Sequence, residues 1–484
     1  MNWQRLSAAA LGLVAGPALC VLLLVVPTGS LAAPAKQVVA VVAWMAVWWV
    51  TEAAPLAVTS MLPLVLFPLL GVRGVQEVAP NFSNHMIFLF LGGFILALAV
   101  ERSGLHRRVA LAVLDRVGSS PRRLVWGFLT ATALLSMWLS NTATTLMMLP
   151  IAAGVAARLE HDQAPGRLML AVAYGASIGG IGTLVGTPPN LVLAGMAPRL
   201  VPGLEPITFG SWMLFGVPFV LLFAPAAGLL LGRGLPTGHR RDPGLAAERA
   251  SLGPMSPREM RVAVLFAVTA VAWVTRSNLD FGVFTIPGWS SYLAHSDLVS
   301  DAVPAIAAAA LATLLPSGDG SGARLLGWDE VRHGVPWGVL LLFGGGFAVA
   351  DGVQATGVDD WLAGCLHGLA LLPVPLVVLS ICLITTFATE FTSNTATATL
   401  LMPVMASLAR VLGVHPYLLM VPATLSASCA FMLPVATPPN AIVIGSGRVT
   451  VQQLFREGIW LNLIGAAVIT LAVLTMGRWL LPIG

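Results

Sequence analysis

The stretch Ser-Asn-Thr-Ala-Thr occupies residues 140–144 and recurs unchanged at residues 393–397. Each copy lies in the middle of a long apolar segment, the first over residues 124–159 and the second over residues 371–409. An unsatisfied polar group at the depth of a bilayer costs several kcal/mol, so polar groups persist there where they line a cavity or a site. Two identical polar stretches in equivalent apolar surroundings therefore predict the two halves of one binding site.

The composition is typical of a protein that spans a membrane many times. Hydrophobic residues make up 57% of the 484 residues, charged residues make up 10%, and the mean hydropathy is +0.88. Apolar runs of about 20 residues, the length that a helix needs to cross a bilayer, follow one another along the chain. They predict an all-α polytopic membrane protein with about 11 transmembrane helices. The predicted spans are residues 9–27, 37–53, 55–71, 86–104, 168–198, 211–233, 261–275, 300–316, 337–352, 416–447 and 455–482.

The chain contains an internal repeat. Four sequence landmarks recur in the same order, three of them at an offset of 253 residues and the fourth at an offset of 250. Self-similarity at a nearly fixed offset is the signature of a duplicated structural unit. Shared apolar composition explains this poorly, because it would not preserve the order of four distinct motifs. The landmark pairs are Phe90–Phe94 and Phe343–Phe347, Ser140 and Ser393, Pro150 and Pro403, and Thr187–Asn190 and Thr437–Asn440.

The distribution of charge predicts that the second repeat is inverted relative to the first. Residues 102–123 carry six arginines, whereas the equivalent residues 351–376 contain no Arg or Lys and three aspartates. The positive-inside rule places the first segment in the cytoplasm and the second outside. The net charge of +4 thus indicates cytoplasmic loops and no nucleic-acid partner. This topology predicts a multi-pass protein of the cell (inner) membrane, with its N-terminus in the cytoplasm and its C-terminus outside.

The two segments that carry Ser-Asn-Thr are too long for one crossing, and neither has a connecting loop in its middle. We therefore predict that each is a re-entrant hairpin with the motif at its tip, one in each inverted repeat. Inverted repeats with discontinuous helices are a recurrent plan of secondary transporters. The predicted first half, 1–242, has scaffold helices over 1–122 and an inward hairpin and broken helix over 123–242; the predicted second half, 243–484, has scaffold helices over 261–372 and an outward hairpin and broken helix over 373–484.

The backbone at a hairpin tip suits charged ligands. The second arm begins with unpaired N–H groups and a partial positive charge that suits an anion, while the first arm ends in free carbonyls that suit a cation. The alternative is that Ser-Asn-Thr only caps the start of a kinked helix. The Thr-Pro-Pro-Asn motifs at 187–190 and 437–440 add a second pair of breaks, because two prolines interrupt a helix but fit the first turn of a new one. A structural proline kink would explain either break alone.

These motifs resemble the divalent anion:sodium symporter family of di- and tricarboxylate transporters. The resemblance rests on the two Ser-Asn-Thr motifs, each followed by a Pro-Pro-Asn break, and spans nearly the whole chain. It also rests on Trp-Trp-Val-Thr-Glu-Ala-Ala-Pro-Leu-Ala at residues 48–57 and on Glu-Phe-Thr-Ser-Asn-Thr at residues 390–395. The resemblance implies a homodimer in which a transport unit slides, as an elevator, against a dimer-forming scaffold.

The resemblance also implies the ligands of one dicarboxylate and of the co-transported Na⁺. The implied substrate-binding residues are Ser140, Asn141, Thr142, Pro189, Ser393, Asn394, Thr395 and Pro439. The implied residues of a first sodium site are Ser136, Asn141, Gly186 and Thr187. The implied residues of a second sodium site are Thr389, Thr392, Asn394, Ala436 and Thr437.

The absence of basic residues favours coupling to a cation. No Arg or Lys lies within the tips or the unwound segments, and a helix terminus offers only about half a charge. Moving each negative charge inward against 100 mV costs about 2.3 kcal/mol, which co-transported sodium ions offset. We therefore expect a sodium-coupled importer of C4-dicarboxylates such as succinate, malate and fumarate. A transporter of sulfate, citrate or tartrate with the same fold, or a dicarboxylate exchanger without sodium coupling, stays open.

Two other classes of protein fit the sequence less well. A channel needs a continuous polar pore, and an enzyme needs a nucleophile with its base or a metal cluster. The predicted spans contain no G-x-S-x-G, H-E-x-x-H or paired aspartates, so we expect no enzyme. Glu52 and Glu390 lie inside apolar runs. Each is either a cation ligand or proton carrier, or a residue with a role in helix packing or at a helix end.

Overall fold

The computed structural model describes residues 3–27, 31–118, 120–159, 161–238, 243–280, 284–320 and 322–477. Within these residues the chain is almost entirely helical, and its one sheet is a two-residue antiparallel pair, β1 (Leu279–Asp280) with β2 (Thr285–Ile286). The predicted all-α fold class is confirmed. Residues 478–482, the end of the last predicted span, lie outside the described residues.

Among the described residues, twelve helices precede residue 239. A 3-10 turn at Ala79–Ser83 separates the fifth from the sixth. These helices are α1 (Trp3–Val25), α2 (Ala33–Thr51), α3 (Leu56–Ser60), α4 (Leu62–Leu69), α5 (Val75–Val78), α6 (His85–Ser103), α7 (Leu105–Val117), α8 (Pro121–Ser136), α9 (Asn141–Ala156), α10 (Ala164–Gly180), α11 (Pro188–Leu200) and α12 (Phe209–Gly232).

Eleven further helices follow among the described residues. Short 3-10 turns occupy Trp289–Tyr292, Ser296–Leu298 and His367–Leu371. The helices are α13 (Pro243–Ser251), α14 (Pro257–Val274), α15 (Ala302–Leu314), α16 (Trp328–Gly334), α17 (Trp337–Thr356), α18 (Val358–Leu366), α19 (Val374–Thr389), α20 (Asn394–Leu412), α21 (Tyr417–Ala427), α22 (Pro438–Gly445) and α23 (Val451–Thr475).

Seven helical segments of the described chain are each long and apolar enough to cross a bilayer. Three of the predicted spans are instead divided: residues 55–71 form α3 and α4, residues 168–198 form α10 and α11, and residues 416–447 form α21 and α22. The count of about 11 crossings depends on treating such pairs as single spans and stays a prediction. The seven segments are α1, α2, the segment from α5 through α6, α12, α17, α20 and α23.

The first Ser-Asn-Thr segment forms two short helices. Helices α8 and α9 have 16 residues each, or about 24 Å, which is less than the thickness of a bilayer core. The start of α8 lies at the C-terminal end of α12, where the Arg122 N–H donates to the Pro236 carbonyl at 3.3 Å. The start of α10 lies at the same end, because the Arg167 guanidinium donates to the Leu231 carbonyl at 3.3 Å.

The other ends of α8 and α10 also meet. A Cβ atom at Gly175 would lie 2.7 Å from the Leu129 carbonyl, so glycine is required where these helices cross closely. One turn further, Gly179 lies against the backbone of Ala133. Since α8 and α10 run in the same direction, α9 between them runs back. Helices α8 and α9, with tip residues 137–140, are hairpin 1, which opens at the C-terminal end of α12.

The second Ser-Asn-Thr segment has the same form and opens at the other end of α12. Arg410, near the end of α20, pairs with Asp360 of α18 at 2.8 Å, and α18 leads through a 3-10 turn to the start of α19. Tyr417, at the start of α21, donates to the carbonyl of Glu205 at 2.6 Å, just before α12 begins at Phe209. Helices α19 and α20, with tip residues 390–393, are hairpin 2.

The two halves interlock around the hairpins. The second arm α9 of hairpin 1 packs against α22, and the second arm α20 of hairpin 2 packs against α11. The fully buried Tyr174 of α10 places its hydroxyl 3.1 Å from the Phe431 carbonyl and 3.3 Å from the Leu454 carbonyl. Its ring also meets that of Phe431 edge-on, with 5.2 Å between centroids. Each hairpin is therefore held by helices of both halves.

Candidate functional site

The tip of hairpin 1 ends in a capped helix start. Ser140 is the N-cap of α9, and its hydroxyl accepts a hydrogen bond from the Ala143 N–H at 3.2 Å. The Asn141 Oδ1 accepts from the Ser136 hydroxyl at 2.8 Å. The first N–H groups of a helix have no partner within the helix, so the backbone of Asn141 and Thr142 can donate to an anion. Ser140 does cap a helix, as expected if the motif were only a helix cap. The cap uses the N–H of Ala143, however, so the N–H groups of Asn141 and Thr142 are still available to an anion.

The tip of hairpin 2 repeats this arrangement. Helix α20 begins at Asn394, whose Oδ1 accepts from the Thr389 hydroxyl at 2.8 Å. In both tips a hydroxyl five residues before the asparagine therefore holds its side-chain oxygen at the same distance. Ser393 makes no capping hydrogen bond with its side chain, unlike Ser140. Thr395 is buried in the first turn of α20.

Both Thr-Pro-Pro-Asn motifs restart a helix, as the sequence predicts. Helix α11 begins at Pro188 and α22 begins at Pro438, so the second prolines, Pro189 and Pro439, lie in the first turns. The preceding residues are break 1 (181–187) and break 2 (428–437), each between two half-helices. The positive end of a half-helix and the carbonyl end of another meet at each break, which suits an anion and a cation together.

The residues of the predicted first sodium site converge on Gly180, the last residue of α10. A Cβ atom at Gly180 would lie 2.5 Å from the Asn141 Oδ1, 3.1 Å from the Gly186 carbonyl oxygen and 3.3 Å from the Thr187 Cβ. Ser136 joins them through its bond to Asn141. The structure thus brings Ser136, Asn141, Gly186 and Thr187 together. Hydroxyl, amide and carbonyl oxygens are the ligands that a hard cation takes, so this donor set fits Na⁺.

The residues of the predicted second sodium site are brought together only in part. Thr389 bonds to Asn394, and its hydroxyl oxygen also lies 3.0 Å from the carbonyl of Ala427, the last residue before break 2. The Thr392 hydroxyl lies 3.1 Å from the Ala388 carbonyl and 2.5 Å from the Thr397 hydroxyl, so its hydrogen bonds stay within hairpin 2. Ala436 and Thr437 lie in break 2 itself. The Ala436 N–H donates to the Leu433 carbonyl at 3.2 Å.

Sequence reasoning missed the role of Asn190 and Asn440. Each asparagine follows the two prolines and donates from its side-chain NH₂ to two carbonyls, ten and seven residues earlier, within its own break or directly before it. The signal was present, because asparagine ends both motifs. In the described part of the chain, the Oδ1 atoms of both residues are buried and accept no hydrogen bond, which makes them additional candidate cation ligands. The distances are 3.2 Å to Gly180, 2.7 Å to Thr183, 3.1 Å to Ala430 and 3.0 Å to Leu433.

Glu390, in the tip of hairpin 2, holds break 2. Its Oε1 accepts from the N–H groups of Phe431 and Met432 at 2.8 and 2.9 Å and from the Asn462 side chain at 2.7 Å. Its Oε2 accepts from the Leu433 N–H at 2.9 Å. The side chain is 1% exposed, so these four bonds replace its hydration. The helix-end interpretation of Glu390 therefore agrees with the structure.

Glu52 also lies at a helix end. It follows the last residue of α2, is exposed, and adopts a left-handed backbone conformation with φ of 51°. The two carboxylates thus share a position at a helix end but differ in burial.

The basic residues nearest to the site have other partners. Arg199, at the end of α11, donates to the Asn81 side chain and lies 5.0 Å from the centroid of the Phe347 ring. Arg410 pairs with Asp360 at 2.8 Å. The tips and breaks themselves contain no Arg or Lys. The electrostatic potential there is therefore determined by hydroxyl, amide and carbonyl oxygens, by helix termini and by the carboxylate of Glu390.

Comparison with known proteins gives a consistent match along the chain. The family model described as the sodium:sulfate symporter transmembrane region matches residues 7–483. The sodium-dependent dicarboxylate transporter SdcS of Staphylococcus saprophyticus is 40% identical over 483 residues, a match that covers 96% of this chain and 90% of that protein. SdcS of Staphylococcus aureus strain USA300 is 39% identical over 485 residues, with the same coverage.

Two solved transporter structures share the fold at low sequence identity. MtrF of Neisseria gonorrhoeae, from a class of antimetabolite efflux pumps, gives a TM-score of 0.59 at 12% identity over 92% of this chain and 95% of its own. The YdaH transporter of Alcanivorax borkumensis gives 0.56 at 16% identity over 93% of this chain and 100% of its own. At these identities the likeness shows the fold alone.

The family model and the relatives agree with the resemblance that the motifs indicated. The protein is a multi-pass membrane protein, and its relatives are transporters. The chain belongs to the sodium:sulfate symporter family, that is, the divalent anion:sodium symporter family, and Na⁺ is the co-transported ion of that family.

Proposed function

We propose that this protein is a sodium-coupled symporter that imports C4-dicarboxylates such as succinate, malate and fumarate, and that it is not an enzyme. The observation that carries the proposal is the matched pair of hairpin tips. In each tip a hydroxyl holds the asparagine of Ser-Asn-Thr at 2.8 Å, and the two hairpins open at opposite ends of α12. The SdcS relatives are named as sodium-dependent dicarboxylate transporters.

Each tip binds one end of the substrate in this proposal. The N–H groups and side chains of Asn141 and Thr142 bind one carboxylate, and those of Asn394 and Thr395 bind the other. Two separate anion sites favour a substrate with a carboxylate at each end over a single compact anion. Ser140, Ser393, Pro189 and Pro439 complete the site at the starts of the four half-helices.

The substrate's charge is balanced by Na⁺. The first ion binds at Ser136, Asn141, Gly186 and Thr187, whose oxygens surround Gly180. The second binds at Thr389, Thr392, Asn394, Ala436 and Thr437, and would draw Thr392 away from its bond to Thr397. Since no basic residue lies in the tips or breaks, a dianion without sodium would meet only partial charges.

The remaining parts of the proposal concern the whole molecule. The halves 1–242 and 243–484 form an inverted repeat in the inner membrane, with the N-terminus in the cytoplasm and the C-terminus outside. This orientation is supported by the arginines of residues 102–123 and by the opposed hairpins. The protein works as a homodimer in which the hairpins and broken helices move as an elevator against a scaffold.

A sulfate transporter is the second candidate, favoured by the description of the matching family model. Citrate or tartrate transport and sodium-independent exchange of dicarboxylates are further alternatives. A small oxyanion would need only one hairpin tip, whereas a C4-dicarboxylate needs both. Variants of the two tips therefore separate these candidates.

The test is uptake of labelled succinate into proteoliposomes, with an inward gradient of sodium or of choline. We expect concentrative uptake with sodium alone and competition by malate and fumarate. Asn141→Ala and Asn394→Ala should each abolish uptake, while Asn278→Ala, in the exposed linker after α14, should not. Equal uptake in choline would refute sodium coupling. Strong competition by sulfate with loss in only one tip variant would favour the second candidate.

A further inference from the structure

The side chain of Arg108, in the first turn of α7, bonds to the connection between α13 and α14. Its guanidinium donates to both oxygens of the Glu259 carboxylate, at 3.0 and 3.2 Å. It also donates to the carbonyls of Leu252, Gly253 and Pro254, at 3.3, 2.9 and 3.2 Å. These carbonyls directly follow α13, and the end of a helix carries a partial negative charge. Arg108 therefore bonds to the end of one helix and to the start of the next.

Glu259 makes this contact part of the start of α14. Its Oε2 accepts from the Ser256 N–H at 2.7 Å, and the Ser256 hydroxyl accepts from the Glu259 N–H at 3.1 Å, which forms a capping box. Glu259 is only 7% exposed, and a carboxylate in such a place needs a paired cation. The forked guanidinium of Arg108 meets both of its oxygens, so Arg108→Gln would take away the cation with which this buried carboxylate is paired.

Two exposed ion pairs specify how α13 lies on α7. Arg107 of α7 pairs with Glu248 of α13 at 2.8 Å, and Asp115 of α7 pairs with Arg249 of α13. Each helix supplies one cation and one anion, so the reverse arrangement would place like charges together. Exposed pairs contribute little to stability, so the partly buried contact of Arg108 is the main electrostatic contact between α7 and the segment from α13 to α14.

Helix α7 connects this contact to hairpin 1. On one side α14 packs against α6 and α15, and on the other side α7 packs against α8, the first arm of the hairpin. A Cβ atom at Gly127 of α8 would lie 3.2 Å from the Leu114 side chain and 3.4 Å from the Val117 Cβ, so α7 and α8 are in close contact. Helix α7 ends at Val117 and α8 begins at Pro121. The position of α7 therefore determines where hairpin 1 begins.

We propose that Arg108 is a positioning residue for transport: it fixes α7 to the start of α14 and thereby sets the place from which hairpin 1 extends to its tip. Within the described residues its hydrogen bonds go to the connection between α13 and α14, and not to a tip or a break. It therefore acts on the movement of hairpin 1 and not on ligand binding, a consequence that rests on the proposed function. The equivalent position of the second repeat, 253 residues further along, has Trp361, so the contact belongs to hairpin 1 alone.

Hydrogen–deuterium exchange of the full-length protein in detergent tests the positioning without transport. We expect Arg108→Gln to raise the exchange rates of α13 and of the first turns of α8 about tenfold, because the contact that holds both helices is lost. Arg116→Gln is the matched control, since this arginine of the same helix donates to the Ala112 carbonyl within α7. It should leave the exchange of both helices unchanged. Arg108→Lys keeps the charge without the forked geometry and should give a smaller increase than Arg108→Gln.

Unchanged exchange of α8 in Arg108→Gln would overturn the positioning role, even if α13 exchanged faster. An equal increase in Arg116→Gln would overturn it too, because the effect would then not be specific to Arg108. The charge-reversed pair Arg108→Glu with Glu259→Arg should exchange more slowly at α13 than Arg108→Glu alone. Equal exchange in these two variants would show that the ion pair does not hold the segment.

The consequence for transport is measured as initial uptake of succinate into proteoliposomes. Arg108→Gln should lower the maximal rate about tenfold, if the same loss falls on the movement of hairpin 1, and leave the half-saturating concentrations of succinate and sodium unchanged. A normal maximal rate with raised half-saturating concentrations would overturn the assignment to movement. Absence of uptake by the unmodified protein would refute the proposed function, and the exchange measurements would still decide whether Arg108 positions hairpin 1.

Discussion

The substitution Gly180→Ala tests the proposed first sodium site most directly. The added methyl carbon would lie 2.5 Å from the Asn141 Oδ1 and 3.1 Å from the Gly186 carbonyl oxygen. Both distances are shorter than a normal carbon–oxygen contact, so the hairpin tip must move away from break 1. Overpacking of this kind costs about 1–3 kcal/mol. If that cost falls on the state that binds sodium, the affinity for sodium decreases, since about 1.4 kcal/mol corresponds to a factor of ten.

We therefore expect the sodium concentration for half-maximal succinate uptake to rise by about 5- to 150-fold. Gly154→Ala is the matched control, because this glycine lies in the same hairpin, within α9, and has no neighbouring atom within 4 Å of the added carbon. Alanine is preferred to glycine inside a helix, so this variant should keep normal transport and equal or higher stability.

The assay is a sodium titration of initial uptake in proteoliposomes, with thermal unfolding measured in sodium and in choline. Gly180→Ala should lose most of the stabilisation by sodium, and Gly154→Ala should retain it. A normal sodium titration for Gly180→Ala, in a protein that is correctly folded, would refute the position of this site.

Two further predictions concern the hydrogen bonds of Glu390 to break 2 and the contacts of Arg199 at the end of α11. Glu390→Gln replaces one acceptor oxygen with a donor that faces backbone N–H groups, so it should reduce the free energy of unfolding by about 1–3 kcal/mol. Thermal unfolding, compared with that of the exposed control Glu205→Gln, checks this, and equal stability of the two variants would contradict the role of Glu390. Arg199→Gln removes the contacts of α11 with Asn81 and Phe347. If the protein works as an elevator, these contacts stabilise the conformation described here, so the variant should reduce the population of that conformation about tenfold. Distances between fluorescent labels on α11 and α17 measure that population, and an unchanged distribution would contradict the prediction.

The sequence predicted the positions at which the chain breaks, because their causes are local. A polar tip inside an apolar segment and a pair of prolines each act within a few residues. Helices accordingly restart at Asn141, Asn394, Pro188 and Pro438. The charge difference between the repeats predicts that the second repeat is inverted, and this stays a prediction; the contacts place the openings of the two hairpins at opposite ends of α12.

The sequence could not predict contacts that depend on how a break folds back. Asn190 reaches carbonyls seven and ten residues earlier only because break 1 turns towards it. Glu390 accepts hydrogen bonds from residues more than forty positions further along the chain, and only these contacts distinguish between its possible roles. The hydrogen bond of Thr392 to Thr397 is a similar case, because no pattern distinguishes it from a ligand. The sodium and substrate ligands stay predictions.

The two breaks differ in one respect despite their common plan. Where hairpin 2 has Glu390, the equivalent position of hairpin 1 has Met137, whose carbonyl accepts from Thr183. Break 2 therefore donates its hydrogen bonds to a carboxylate, whereas break 1 donates to a neutral backbone carbonyl. A cation arriving at the empty transporter would meet unequal potentials at two otherwise similar places. The proposed sodium ions should consequently load in a fixed order, beginning beside Glu390, so two sites of similar plan would bind their ions asymmetrically.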